Sequence, residues 1–224
     1  MRSSGADSGR VAGRRAPWRM TVVGVVALAG SLMAMTVTAA AQVQRQASHK
    51  AGARMSKEQK IRNAMAAGPA SISSKATIMD WPAGEGGKPV VVREGSNGWV
   101  CYPDFPGTKG NDPMCLDNSW QAWMDAYMAK QPPQITHAGV GYMTAPGGAW
   151  GSNTDPYAEK ETPDNDWGYD PPHVMMVVPT ADALTGLPTD RKSGGPWVMW
   201  SGTPYAHIMA PVTSMSAPAA ARTR

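Results

Sequence analysis

A chain of 224 residues with 21 Lys and Arg against 17 Asp and Glu, a net charge of +4 and an isoelectric point near 9.1 looks basic. The surplus lies at the start: Arg2, Arg10, Arg14, Arg15 and Arg19 are opposed only by Asp7, and from Gln42 onward 16 basic groups face 16 acidic ones. Residues 42–62 hold six basic groups and Glu58, so 63–224 carry ten basic and fifteen acidic groups, a mildly acidic body that argues against a nucleic-acid-binding surface.

The basic start is followed by Met20 to Gln44 without a charged side chain, the layout of an export signal. The small residues Ala39, Ala40 and Ala41 place cleavage after Ala41, so 1–41 reads as a signal peptide. The alternative is an uncleaved anchor, since about 20 apolar residues also cross a bilayer. Gly24, Gly30, Ser31, Thr36 and Thr38 dilute the segment and favour cleavage. No cysteine follows for lipid attachment, and Ala-Pro-Trp after Arg14-Arg15 departs from a twin-arginine signal. Membrane association is expected only through this leader.

Residues 42–55 form a flexible basic lead-in, 56–213 one globular domain and 214–224 a disordered tail. Nine Trp against the single Phe105 mean that the core is built from Trp, Met, Val and Ala.

Ser56-Lys57-Glu58-Gln59 is a capping box opening a helix to about Ala67, which Gly68-Pro69 stops. Extended segments follow at Ala76–Trp81, Pro89–Glu94 and Gly98–Tyr102; the last two, joined by Gly95-Ser96-Asn97-Gly98, predict a hairpin. Asp117 or Asn118 caps a second helix to about Lys130, with Trp120, Trp123, Met124, Tyr127 and Met128 on a core face. Gly139–Thr144 is a strand, and Ala145 to Pro172 is a long acidic loop without hydrophobic period. Thr180 caps a short helix, Ala181–Leu184; strands are expected at His173–Val178, Trp197–Ser201 and His207–Val212. Short strands without regular βα alternation predict an α+β fold: one domain, a mainly antiparallel sheet and two main helices.

The only cysteines, Cys101 and Cys115, enclose thirteen residues, and in an exported chain pairing is favoured; two free buried thiols are the alternative. Asp104, Asn111, Asp112 and Asp117 offer oxygens suited to calcium, but each also suits a turn or a cap. Asp164-Asn165-Asp166 in the acidic loop echoes the start of a calcium loop without its remaining ligands, and reads as solvated. His173 and His207 open two apolar strands; were these neighbours, both imidazoles would lie at one sheet end with Asp170 or Tyr205. Met175 and Met209 share a strand face with their histidines, so a soft-ligand copper site is conceivable there. A catalytic site, by contrast, would pair a histidine with a carboxylate such as Asp170. No G-x-S-x-G, H-E-x-x-H, C-x-x-C or phosphate-binding glycine loop occurs.

The stretches GWVCYPDFPGTKGNDPMCLD, SNTDP, PPHVMMV and WVMWSGTPYAHIMAPV resemble an uncharacterised family of exported bacterial proteins, over roughly Ala76 to Val212. The resemblance implies an envelope or secreted location and a paired Cys101 and Cys115; it carries no activity. The expectation is a periplasmic or secreted ligand- or metal-binding protein, with His173, His207, Asp170, Asp164 and Asp166 as candidate residues. The alternatives are an exported hydrolase with a His/carboxylate site and a non-catalytic envelope interaction domain. Neither a cofactor nor a partner is named by the sequence.

Overall fold

Ser56 opens helix α1 (Lys57–Met65) as its capping box requires: its hydroxyl accepts the Gln59 N–H at 3.3 Å and the Gln59 side chain accepts the Ser56 N–H at 2.7 Å. In this computed structural model, which describes residues 55–84 and 87–216, everything described belongs to one unit of the chain. The expected signal segment, nearly all of the expected basic lead-in and the tail from 217 lie outside the described residues. Met215, expected in the frayed tail, packs against the main core.

A short helix α2 (Ala70–Ser73) leads into β1 (Thr77–Asp80), β2 (Val90–Arg93), β3 (Val100–Tyr102) and β4 (Met114–Leu116). Helix α3 (Asn118–Met128) precedes β5 (Gly139–Met143), β6 (Ala149–Ser152), β7 (Trp167–Asp170), β8 (His173–Val177), β9 (Trp197–Met199) and β10 (His207–Pro211). Eight strands form one sheet in the order β2-β1-β3-β4-β5-β8-β10-β9, antiparallel except for β1 beside β3, and β6 and β7 pair separately. The protein is an α+β fold. Among the described residues no helix is long and apolar enough to cross a membrane.

The expected β2–β3 hairpin does not form, because β1 lies between the two strands. Ser96 donates to the Lys75 carbonyl and Thr77 to that of Trp99, so the Asn-Gly segment arches over the start of β1. Gly95 makes the crossing possible: a Cβ there would lie 2.1 Å from the Thr77 nitrogen. The acidic stretch from Ala145 to Pro172 is also more ordered than expected, since it contains the β6–β7 hairpin. Ala181–Leu184 forms a 3-10 turn, and the Thr180 side chain makes no capping bond to it.

Alternation along the strands divides the core in two. Ile78, Cys101 and Cys115 face α1 and pack with Ala64 and Ala67, whereas Leu116, Met175, Val177 and Met209 face α3 and pack with Trp120 and Trp123. Asp117 fixes α3 to the sheet: one carboxylate oxygen accepts the Trp120 N–H at 2.9 Å, and the other accepts the Val140 N–H of β5 at 2.6 Å. Gly141 keeps the approach close, because a Cβ there would meet Met175 Cε at 3.0 Å and Trp120 at 3.4 Å.

Candidate functional site

Cys101 and Cys115 occupy directly opposed positions of β3 and β4, with Cα atoms 4.0 Å apart, and form the disulfide. The bridge closes the base of the loop 103–113. Asp104 and Asp112 hold that loop reciprocally: Asp104 Oδ1 accepts the Asp112 N–H at 2.8 Å and Asp112 Oδ1 accepts the Phe105 N–H at 3.1 Å. Burial, followed by the hydrogen-bonded Asp112 carboxyl, raises Asp104 to about 7. Asn63 of α1 accepts the Asp104 N–H and donates to Asn111, which in turn donates to the Pro146 carbonyl. The oxygens suggested for calcium are thus engaged in turns, in a cap and in tying the loop to its neighbours.

The same end of the sheet carries His173. Its residue is 1% exposed, and Nδ1 lies 2.6 Å from the Pro171 carbonyl. A carbonyl only accepts, so Nδ1 bears the proton. Burial, against the opposing pull of that hydrogen bond and of Asp112, lowers the imidazole from 6.5 to about 4. The ring is therefore neutral near pH 7 and Nε2 presents a bare lone pair, buried and without a hydrogen-bond partner.

Met143 of β5 lies directly opposite His173. Extending the Cys115–Tyr142 register by one residue places Met114 of β4 beside Met143, and Tyr102 faces Met114 across the next ladder. Tyr102, Met114, Met143 and His173 thus form one row across four strands, each roughly 4.5–5.5 Å from the next at Cα.

His207 does not join this row. The strands β8 and β10 are neighbours, as the sequence reading required, but they run antiparallel, and Pro211 rather than His207 faces His173. Their starts therefore lie at opposite ends of the sheet, separated by roughly 13 Å of strand. His207 is enclosed by aromatic edges and faces, with ring centroids 5.2 Å from Trp120, 5.5 Å from Trp123 and 5.1 Å from Trp200. Its Nδ1 donates to the Tyr205 carbonyl at 2.9 Å, and burial takes it down to about 4 as well. It is a neutral core residue.

Asp170 is buried and belongs to Arg191, whose guanidinium meets it at 3.0 Å. Burial outweighs the arginine and leaves the Asp170 carboxyl raised, to about 7. Arg191 also donates to the carbonyls of Gly151 and Asp166 at 3.1 and 2.8 Å, so one buried side chain stitches β6, β7 and the intervening segment together. Asp166 adds a carboxylate oxygen 3.9 Å from Nε of Arg191, and Asp164 is exposed. Neither histidine therefore has a carboxylate on Nδ1, the arrangement a His/carboxylate hydrolytic site would need. Arg191, which organises the acidic segment, was not singled out by sequence; nothing in the run Thr-Asp-Arg-Lys-Ser marks it as buried.

Among the described residues no three His, Cys, Asp or Glu side chains converge. A cleft of about 130 Å³ beside Pro133, Ile135, Val178 and Pro204 is smaller than the roughly 300 Å³ at which organic-ligand sites begin. The fold and site define an α+β protein with a cross-strand disulfide and a buried imidazole whose Nε2 has no hydrogen-bond partner. The chain matches no protein-family model, no curated protein and no solved structure.

Proposed function

We propose that this chain is an exported protein that binds a metal ion at the sheet end carrying His173. The observation that carries the reading is the Nε2 lone pair of His173: buried, neutral at physiological pH, oriented by its Nδ1 bond and satisfied by nothing in the fold. A backbone carbonyl accepting from the opposite ring nitrogen, as Pro171 does here, is an arrangement that orients metal-binding histidines. Export is supported by the charge-free segment after the basic start, by the resemblance to exported bacterial proteins and by the Cys101–Cys115 bridge, which persists in an oxidising compartment.

Elemental analysis and native mass spectrometry of the exported protein test the reading. One equivalent of metal is expected, and it is lost in His173→Gln. Protein that is metal-free as isolated and takes up neither copper, zinc nor calcium overturns it.

A further inference from the structure

Resting on the His173 reading, we infer that the ion is monovalent copper, held by Nε2 of His173 together with the thioethers of Met143 and Met114. Three observations lead there. The unpartnered nitrogen belongs to a fully buried side chain, so it is not satisfied by bulk water. The ladder places Met143 directly across from it and Met114 one strand further on, all on the face turned toward α3. Hard or borderline donors do not assemble there: among the described residues no third carboxylate, thiolate or imidazole joins His173.

The side chains that strand register brings toward this face from β5 and β4 carry thioether sulfur. Thioethers are soft, uncharged ligands, poor for zinc or calcium and suited to a d¹⁰ monovalent ion, and a neutral imidazole completes a three-coordinate set. Met175, two residues along the same strand, is not part of the set. Its methyl group lies over Gly141, toward Leu116 and Trp120.

Methionines also fill cores, so the test separates ligation from packing. The exported protein, disulfide intact, is titrated anaerobically with the tetrakis(acetonitrile) salt of monovalent copper in competition with a bathocuproine chelator. One equivalent should bind, with an absorption-edge spectrum of sulfur and nitrogen neighbours. Met114→Leu and Met143→Leu conserve volume, and each should weaken binding by at least about tenfold, since even loss of an outer-shell partner costs that much. Unchanged affinity in the Met114→Leu/Met143→Leu protein, its melting temperature close to the parent's, overturns the thioether assignment. If His173→Gln nonetheless abolishes binding, the His173 reading stands without it. Preferential uptake of zinc at His173 likewise refutes copper and leaves that reading intact, whereas failure to take up any metal removes both.

Discussion

Replacing His207 with phenylalanine tests whether the ring is neutral in the fold, because it removes the titration while keeping a planar side chain among Trp120, Trp123 and Trp200. The native imidazole protonates only near pH 4, whereas in the unfolded chain it does so near 6.5. A depressed pKa means that the unfolded state binds the extra proton between those values. Its contribution to stability is therefore complete above pH 6.5 and is lost as pH falls toward 4. One proton is worth about 1.4 kcal/mol per pH unit, so the window corresponds to about 3 kcal/mol. The substitution itself leaves the Tyr205 carbonyl without its donor, at a cost of about 1–3 kcal/mol that does not depend on pH. Urea unfolding of both proteins at intervals from pH 7.5 to 4 should show the variant less stable at neutral pH and the gap closing steadily toward pH 4. A gap constant to within about 0.5 kcal/mol would mean that His207 titrates normally in the fold, and the buried, neutral reading of this histidine would be wrong.

Arg191→Met strips a buried partner from Asp170 and two carbonyls at once, and should cost about 3–5 kcal/mol, with hydrogen exchange rising first in the β6–β7 hairpin. A loss below about 1 kcal/mol would show that Arg191 is not the clamp. Replacing Cys101 and Cys115 together with Ala should lower stability by about 3 kcal/mol, the value for a loop of this size, measured by denaturant midpoint under non-reducing conditions. Asp117→Ala removes both the α3 cap and the bond to Val140; about 2 kcal/mol is expected, roughly twice a simple cap loss, and Asp117→Asn should recover part of it. Gly139→Ala places a Cβ 2.5 Å from that of Ser119 and 2.8 Å from Asp117 Oδ1, so thermal melting should drop by at least as much as for Asp117→Ala.

Local chemistry made much of the framework legible. The capping box at Ser56 and the Asp117 cap depend on neighbours three residues away and lie where the sequence places them. Of the α3 stripe, Trp120, Trp123, Met124 and Tyr127 pack into the core, whereas Met128, in the last turn, faces solvent because the helix end projects past the sheet's apolar cover. The strands β5, β8, β9 and β10 begin at the expected residues, because runs of apolar, β-branched and methionine side chains between turn formers have few other ways to satisfy their backbone. Where local and long-range pairing compete, local signals fail. Val90–Val92 and the Asn-Gly turn satisfied a hairpin rule, yet β1 buries Ile78 by entering between the two strands. The β6–β7 hairpin has no hydrophobic period to reveal it, since it is held largely by a buried arginine from 191.

The site divides along the same line. From residue identity alone came a mildly acidic body behind a basic, apolar start, the one pair of cysteines, and the histidines that head two apolar strands. Only the tertiary structure decided that those strands run antiparallel, which sends His173 and His207 to opposite ends, gives Asp170 to Arg191 and puts Met143 opposite His173 with Met114 in the same cross-strand row. The physical reason is that strand pairing is a choice among distant segments, settled by total burial and backbone hydrogen bonding. A chain read residue by residue shows which side chains could act, while register determines which of them meet.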